Sequence, residues 1–390
     1  MKAELKTPEN IYSMLDTPAV IIDMDKLELN IQEMTHTAKE AKLKLRPHVK
    51  IHQCPEITKM QIDAGACGIE VGNIEQATVM ANEGISDIVI AHPFWGVNKL
   101  EKLKVLLNKT GLKLSIVIDM FEQALALSHI GQELNIRIPV LMKIDTGINR
   151  FGVPPGEPAL NMALDLLNLA GSEFTGIYAH ESGAIPTQEG VDRMAFQVAT
   201  VMCETANIFR EKGISIKDVS VGASPTFRST CRYIRDHHFP EITEIHPGAC
   251  VIGDITYMMG FGNSREACAL SILTSVMSTS QEDHVVIDAG FKTLGADSII
   301  GRRDVKGFFW KNMPSFCSFR ERTDLWLGKL GAESGWLYYK DSKNRLVPGE
   351  RLEIIPNNAA LVLNLHDRVY GVRKGIVERE FIISGRGEGS

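Results

Sequence analysis

The chain has 390 residues, 44% of them hydrophobic, and a formal net charge of -6 at pH 7. This length accommodates a barrel and a second domain, and the acidic balance argues against nucleic acid or an anionic membrane as the main partner. The amino-terminal stretch MKAELKTPENIYSMLD lacks the apolar core of a signal peptide, and no apolar run approaches the length that crosses a bilayer. We therefore expect a cytoplasmic protein that acts on a small molecule.

The first two thirds of the chain alternate apolar, strand-like runs with helical periodicity, which is typical of a parallel sheet with crossover helices. Asp25 is the predicted cap of the first helix, whose apolar positions recur at three- and four-residue intervals. We predict strands near residues 43-49, 67-71, 87-91, 113-118, 138-144, 174-179, 217-221 and 242-246. Eight such units indicate an α/β fold with a closed (β/α)8 barrel of the TIM type.

The sequence pattern changes after about Ala267, where short β-rich runs such as RLEIIP alternate with Gly, Asn, Asp and Pro. These runs predict an antiparallel, β-rich second domain. We place the barrel at residues 23-262 and the second domain at residues 263-390. The insert from Gly301 to Trp326 is basic and aromatic, so it is either a substrate-recognition element or, as is more common, a packing or dimer element.

The cysteines are scattered and show no paired spacing of the zinc or thioredoxin kinds. We interpret them as reduced structural thiols. They are Cys54, Cys67, Cys203, Cys231, Cys250, Cys268 and Cys317.

The heptapeptide RPHVKIH at residues 46-52 contains a lysine between two histidines. In a strand, Arg46, His48, Lys50 and His52 would project from one face, because successive side chains alternate. Crowded positive charge and partial burial lower a lysine pKa and leave a free amine able to form a Schiff base with a carbonyl group. The alternative is a basic strand end paired with carboxylates.

Two loops follow the seventh and eighth predicted strands, SVGASPT and HPGACV. In a barrel of this kind, phosphate often binds in the loops after these two strands. Ser224 and Thr226 offer hydroxyl donors, while Gly248 and Ala249 allow backbone amides to approach a phosphate closely. The alternative is a pair of ordinary glycine-containing turns.

A series of segments in the same order resembles the D-threonine aldolase and D-serine dehydratase family, which has the alanine racemase type of fold and uses pyridoxal phosphate. An ordered series is stronger evidence than one motif. The segments are TPAVIIDMDKLELNI, RPHVKIH, GACGIEVGNIEQATVMANEGISDIVIAHP, KIDTGINRFGV, GIYAHESG, SVGASPT, EIHPGACVIGD and IDAGFKTLGAD. The resemblance also implies that residues 1-22 join the β-rich domain through the strand PAVIID.

The resemblance implies roles for the lysine and its neighbours. Lys50 would carry the cofactor and act as the base at the substrate α-carbon, with His48 and His52 holding the lysine, the ring or the substrate carboxylate. Tyr178 would lie near the ring and His180 near the leaving group, since they share a face at the end of strand six. The alternative for Tyr178 is an ordinary core tyrosine.

Arg150 matches a position that contacts the phenolic oxygen of the cofactor in alanine racemases, and Lys143 matches a lysine that can be carbamylated there. The alternative is that Asp145 and Arg150 form an ion pair in the loop after strand five.

The chain departs from the family at its metal-binding segment, Pro-Asn-His-x-(Cys or Asp). In IPNNAALVLNLHD, Asn358 stands where the histidine belongs and Ala360 where its partner belongs, so no divalent metal is expected. The alternative is a shifted site built from His366, Asp254 or His246. Asp367 follows His366 directly, so the two would face opposite ways in a strand.

We therefore expect a pyridoxal-phosphate-dependent lyase that acts on a β-hydroxylated D-amino acid as an aldolase or a dehydratase. The first alternative is a metal-independent racemase or epimerase on the same scaffold, since racemisation needs only two bases at the α-carbon. The second is a non-catalytic protein that binds the cofactor. The resemblance implies a homodimer with the active site near the interface.

Overall fold

The computed structural model describes residues 15–183, 185, 187–257, 267–297, 309–320, 322–341 and 343–388. The described chain begins with β1 (Ala19–Asp23) and α1 (Met24–Glu40). The predicted cap of α1 is wrong by two positions: the Asp23 side chain, at the extended end of β1, accepts a hydrogen bond from the Lys26 N–H. None of the described helices combines the length and the apolar character that a membrane span requires.

Eight of the described strands are parallel and form the barrel. Their order is β2-β9-β8-β7-β6-β5-β4-β3, and a parallel bridge between His48 and Glu70 joins the two ends. These strands read as nearly continuous apolar runs because they are covered on both faces. They are β2 Lys44–Leu45, β3 Ile69–Val71, β4 Asp87–Ile90, β5 Lys113–Ile118, β6 Ile138–Lys143, β7 Ser172–Tyr178, β8 Asp218–Val221 and β9 Glu244–Ile245.

The outer layer of the barrel consists of amphipathic helices that bury one face against the strands. After α1, whose Leu27, Ile31, Met34 and Ala38 are buried, the helices follow successive strands. They are α2 Pro55–Asp63, α3 Ile74–Asn82, α4 Val97–Leu107, α5 Phe121–Glu133, α6 Glu157–Leu166, α7 Gln188–Glu211 and α8 Phe227–Arg235.

The second domain is a mostly antiparallel sheet in the described residues, with the path β15-β16-β11-β10-β1-β18-β19, while β17 pairs with β10 and β14. β1 pairs with β10 and, in parallel, with β18, so the chain leaves this sheet to enter the barrel. The elements are β10 Leu270–Ser278, β11 His284–Ile287, α9 Phe291–Leu294, β12 Phe309–Trp310, β13 Met313–Pro314, β14 Cys317–Phe319, β15 Leu325–Leu330, β16 Gly335–Tyr339, β17 Arg351–Pro356, α10 Ala359–Leu365, β18 Arg368–Arg373 and β19 Ile376–Ile382.

The predicted fold class, a barrel followed by a β-rich domain, is confirmed. The predicted boundary between residues 262 and 263 lies outside the described residues, as do residues 301–308 and 321 of the insert. The described part of the insert forms the hairpin of β12 and β13, then β14 and the start of β15.

Candidate active site

A cavity of about 340 Å³ lies where the carboxyl ends of the barrel strands meet the second domain. Its volume suits a small ligand, and ligands bind at this end of such barrels. Asn358 and Ala360 line it from the second domain. Of the residues predicted for the site, the barrel contributes His48, Lys50, His180, Ser224, Thr226, Gly248 and Ala249.

Lys50 lies on a short 3-10 turn, Val49–Ile51, rather than on a strand. The prediction that residues 46, 48, 50 and 52 share one strand face is therefore wrong. His48 N–H still donates to the Pro247 carbonyl just after β9, and the Gln53 N–H then donates to the Val49 carbonyl, which closes the turn. The turn brings Lys50 to the cavity and separates it from Arg46 and His52.

Burial lowers the pKa of Lys50, and the Arg150 guanidinium lowers it further, while Glu70 acts in the opposite direction. More of this amine is therefore uncharged near neutral pH than of an exposed lysine. Arg46 does not contribute to the lowered pKa of Lys50, because its Nε donates to Glu244 at 2.9 Å and its Nη1 donates to Asp87 at 2.5 Å. The positive charge that faces Lys50 comes from Arg150.

The three predicted histidines have different surroundings. His48 is buried, and neither of its ring nitrogens has a partner in the described structure, while burial holds its pKa well below the ordinary value. His180 lines the cavity, and burial followed by the charge of Lys50 lowers its pKa to about 3. Both rings are therefore neutral at physiological pH.

His52 lies outside the cavity lining. Its Nδ1 accepts a hydrogen bond from the Cys54 N–H at 3.1 Å, so the proton is on Nε2, which donates to Gln61 Oε1 at 3.1 Å. Burial lowers its pKa to about 4. In this structure His52 anchors the end of the lysine turn.

Tyr178 lies beneath the cavity, in a barrel-interior cluster with apolar side chains of β4, β5 and β6. Its ring stacks on His246, with ring centroids 4.4 Å apart and planes inclined by 9°. The Tyr178 hydroxyl donates to Glu70 Oε2 at 3.2 Å, and Glu70 Oε1 lies 3.4 Å from His246 Nδ1. Burial, followed by the Glu244 carboxylate, raises the pKa of Glu70 well above its usual range.

His246 connects Tyr178 and Glu70 to further buried polar side chains. Its Nδ1 lies 2.8 Å from Ser220 Oγ, which donates to Glu244 Oε1 at 3.0 Å. We call the set Arg46, Glu70, Tyr178, Ser220, Glu244 and His246 the buried network. Glu70, Ser220 and His246 were not predicted as a group, and the available signal was a carboxylate within the apolar strand sequence of β3.

Lys143 and Arg150 lie outside the cavity lining. The Lys143 Nζ is 5.1 Å from the Tyr178 ring centroid and 5.6 Å from that of Phe151, and burial, then Arg150, lowers the pKa of Lys143 to about 8. The alternative pairing of Asp145 with Arg150 is wrong. In the described structure Asp145 Oδ1 instead accepts backbone N–H groups of residues 147–149.

The two predicted phosphate loops contact each other. Ser224 Oγ accepts hydrogen bonds from the N–H groups of Gly248 at 3.1 Å and Cys250 at 3.2 Å, so its own proton is available to the cavity. A Cβ at Gly248 would lie 2.8 Å from the His48 carbonyl oxygen, which explains the glycine. Thr226 is the N-cap of α8 and donates to the Ala223 carbonyl at 3.2 Å. These loops form a small cradle in which the Ser224 hydroxyl is left to donate to a ligand.

The segment expected to lack metal ligands does line the cavity, through Asn358 and Ala360. Within the described ranges, no group of three or more His, Cys, Asp or Glu side chains is arranged to hold a metal. His366 lies outside the cavity lining, with its Nε2 3.1 Å from the Thr293 carbonyl, and Asp367 forms an ion pair with Arg386. The metal-free site stays a prediction.

A segment after β19 contacts the lysine turn. Gly385 N–H donates to the Gln53 carbonyl at 3.0 Å, and Asn73 Nδ2 donates to the Glu388 carbonyl at 2.6 Å. Gln53 has φ +52°, and its Nε2 donates to the Lys50 carbonyl at 3.3 Å. We call residues 383–388 the clasp, because they connect the second domain to the turn that carries Lys50.

Residues 22–255 match the family model described as the alanine racemase N-terminal domain. The chain belongs to this family. Residues 269–372 match a second model, the putative serine dehydratase domain. The two matches together cover the barrel and most of the second domain, and they confirm the resemblance that the sequence motifs indicated.

Two relatives and one solved structure match most of the chain. It is 27% identical over 389 residues to a D-threonine aldolase of Arthrobacter sp., covering 97% of this chain and 95% of the relative. It is 28% identical over 363 residues to a D-threo-3-hydroxyaspartate dehydratase of Delftia sp., covering 88% and 91%. The solved structure of a D-threonine aldolase from Filomicrobium marinum superposes with a TM-score of 0.85 at 26% identity, covering 97% of this chain and 98% of that one.

The alanine racemase-type family depends on pyridoxal phosphate, and the residues of this chain fit that group. A cofactor of this kind needs an amine, a phosphate cradle and polar partners for its ring. Lys50 supplies the amine and the loops at Ser224 and Gly248 supply the cradle. The unpartnered ring nitrogens of buried His48 add polar groups that a ligand could satisfy.

Proposed function

We propose that this protein is a pyridoxal-phosphate-dependent lyase that cleaves or dehydrates a β-hydroxylated D-amino acid. The observation that carries the proposal is that Lys50, with a lowered pKa, lines one cavity together with the Ser224 and Gly248 loops. The names of the relatives, aldolases and dehydratases of D-configured hydroxy amino acids, support the reaction class and the substrate class.

Pyridoxal phosphate, when bound, withdraws electrons from the α-carbon of the substrate and so makes the bonds at that carbon easier to break. Lys50 would hold the cofactor covalently, and its free amine would serve as a base for a proton at the substrate α-carbon. The Ser224 hydroxyl and the Ala249 backbone amide would hold the phosphate, while the Gly248 N–H stays bonded to Ser224 Oγ and Thr226 starts the adjacent helix.

For His180 we propose a different role from the one that its sequence motif predicted. A ring with a pKa of about 3 carries no extra proton near pH 7, so it is a weak acid for a leaving hydroxide. We propose that it contacts and orients the ligand as a neutral imidazole. Tyr178 supports the cavity from below through its stacking on His246 and is not assigned a ligand contact.

The function can be tested by incubating the purified protein with D-threonine, D-serine and D-threo-3-hydroxyaspartate, and with the L-enantiomers as controls. We expect either an aldehyde with glycine or a keto acid with ammonia from a D-substrate. Parallel reactions with a chelator test the proposal that no divalent metal is needed. Bound cofactor without any of these products from any D-substrate would contradict the lyase proposal.

A racemase is the second candidate, and the neutral side chains of Asn358 and Ala360 favour it, because racemisation requires no metal at this position. The same incubations distinguish the two activities if the chirality of the recovered amino acid is measured. Inversion without loss of amino acid would support racemisation. A protein that binds the cofactor and leaves every amino acid unchanged would support the non-catalytic alternative.

We further propose that the protein forms a homodimer. Large apolar side chains are exposed at the mouth of the barrel, just after three adjacent strands: Trp95 is 56% exposed, Phe121 36% and Phe151 38%. Exposed apolar surface of this kind marks interaction sites. Light scattering at micromolar concentration should give twice the mass of one chain, and a monomer would contradict the proposal. The cytoplasmic location stays a prediction.

A further inference from the structure

Asn358 is a second-domain side chain that lines the cavity containing Lys50 and is half-buried there. It precedes α10 as its N-cap residue, with φ -140° and ψ 110°. Its Oδ1 accepts a hydrogen bond from the Leu361 N–H at 3.3 Å. This contact fixes which branch of the carboxamide is the oxygen, because only the oxygen can accept.

The Nδ2 group of Asn358 is therefore the other branch of a fixed planar amide. Among the residues that the structure describes, none accepts a hydrogen bond from this group, and it is not enclosed by protein. The cap orients the side chain, so the two N–H bonds of Nδ2 are available on the cavity side. A ligand with an acceptor oxygen would satisfy them.

The backbone around Asn358 is held in place by buried neighbours. Asp254 Oδ2 accepts from the Ala359 N–H at 3.0 Å, and its Oδ1 accepts from the Tyr257 N–H at 2.7 Å. The Asn357 Nδ2 donates to the carbonyls of Asp297 at 2.8 Å and Ser315 at 2.7 Å. Asn358 is thus part of a rigid wall, which a specificity-determining group requires.

Several other polar groups of the cavity already have assigned partners or roles, while the buried Glu181 carboxyl lines the cavity without a hydrogen-bond partner among the described residues. Lys50 binds the cofactor in the proposed function, and Ser224 belongs to the phosphate cradle. Both oxygens of Asp254 are occupied by backbone N–H groups. Asn358 is therefore the amide donor that the second domain offers to the substrate, and Ala360 beside it leaves room for a side chain.

We infer that Asn358 determines substrate specificity by donating a hydrogen bond from Nδ2 to an uncharged oxygen in the substrate side chain. A hydroxyl oxygen is matched by a neutral amide, whereas a second carboxylate is better matched by a charged donor, and the described lining of the cavity contains no arginine and no lysine besides Lys50. The inference rests on the proposed function and narrows it: the preferred substrates are hydroxy amino acids without a second carboxylate, such as D-serine and D-threonine, rather than 3-hydroxyaspartate.

The test measures binding rather than turnover. Holoenzyme is titrated with D-serine and with D-alanine, which lacks the hydroxyl, and the dissociation constants are read from the change in cofactor absorbance. One neutral hydrogen bond corresponds to a preference for D-serine of about three- to tenfold. Asn358→Ala should abolish this preference, and steady-state kinetics should show the loss in KM more than in kcat.

Asn358→Asp is the matched variant, because aspartate keeps the helix cap and the shape while it removes the donor and adds a negative charge. It should weaken D-serine binding and strengthen binding of D-2,3-diaminopropionate, whose β-amino group is a donor. Thermal unfolding of both variants checks the fold. If Asn358→Asp folds as the parent does and leaves the order of the three ligands unchanged, the inference is wrong.

The two proposals fail in different ways. Purified protein that binds no pyridoxal phosphate would overturn the proposed function, and this inference with it. Holoenzyme that binds D-amino acids and shows the same ratio for D-serine and D-alanine with and without the Asn358 side chain would overturn the inference alone. Tighter binding of D-threo-3-hydroxyaspartate than of D-serine by the unmodified protein would also overturn it.

Discussion

The two sides of the cavity differ in their chemistry. The barrel side rests on the buried network, in which carboxyl, hydroxyl, imidazole and guanidinium groups contact one another at 2.8 to 3.4 Å. The second-domain side consists of Asn358 and Ala360, which are uncharged. The difference indicates that the barrel supplies the reactive amine and its electrostatic environment, while the second domain selects the ligand. Substitutions on one side of the cavity therefore test whether the other side keeps its function.

The largest effect is expected for Lys50→Ala. Loss of the amine removes both the covalent attachment and the base, so activity should fall by about a thousandfold or more, and the yellow colour of the covalent cofactor should disappear. Absorbance and peptide mapping after borohydride reduction measure this. Lys143→Met is the matched control, since Lys143 is the other buried barrel lysine with a lowered pKa. Labelling of Lys143 instead of Lys50 would refute the assignment.

The second prediction changes the second-domain side. Asn358→His combined with Ala360→Asp should create a metal site, with zinc or manganese bound about a hundredfold more tightly than by the parent protein, because each added ligand strengthens affinity severalfold or more. Calorimetric titration and elemental analysis measure the gain. The parent should keep its activity in a chelator. If the parent protein contains about one metal per chain and loses its activity on chelation, the metal-free prediction is wrong.

The third prediction concerns the electrostatics of the barrel side. Burial lowers the pKa of Lys50 most, Glu70 raises it, and the positive charge of Arg150 disfavours the protonated amine. Arg150→Met should therefore raise the pKa of Lys50 and slow its reaction with a carbonyl reagent below that pKa. Arg150→Lys keeps the charge and should leave the profile unchanged. The shift is measured on cofactor-free protein as reaction rate against pH.

If the charge of Arg150 lowers the pKa of Lys50, the pH profile of Arg150→Met must shift to higher pH and that of Arg150→Lys must stay in place. A shift of the Arg150→Met profile to lower pH, or an equal shift in Arg150→Lys, would show that charge is not the cause. Because Arg150 is exposed, added salt should reduce the difference between the two variants.

The smallest effect is expected at the clasp. Gly387 has φ +73° and open space around the position of a Cβ, so Gly387→Ala adds backbone strain without a clash. It should weaken cofactor binding about threefold, because the strain destabilises the segment that holds the lysine turn. Gly349→Ala is the matched control, with φ +81° and open space far from the turn in sequence. Equal cofactor affinity in the two variants would argue against a role for the clasp.

The strands of the barrel could be predicted because a strand covered on both faces reads as an apolar run. The run at residues 113-118 coincides with β5, and those at 87-91 and 138-144 differ from β4 and β6 by one residue. The cap of α1 was wrong because Asp23 and Asp25 are both suitable cap residues, and the choice between them depends on where β1 ends.

The cavity residues were predictable where a motif follows a strand end, as for Lys50, His180 and Ser224. The buried network was not, because its members are brought together by barrel closure and are distant in sequence. Tyr178 contacts Glu70 and His246, which come from β3 and from the end of β9. Alternation along a strand also could not reveal the 3-10 turn that separates Lys50 from His52.

The clasp has a consequence for the order in which the protein matures. Gln53 is synthesised early and Gly385 more than three hundred residues later, yet the two are joined by a hydrogen bond that supports the turn carrying Lys50. Until the second domain has been made, the barrel lacks the hydrogen bond that holds Gln53 beside the turn in its left-handed conformation. We therefore expect the nascent barrel to retain cofactor poorly, so that capture of pyridoxal phosphate follows translation of the second domain.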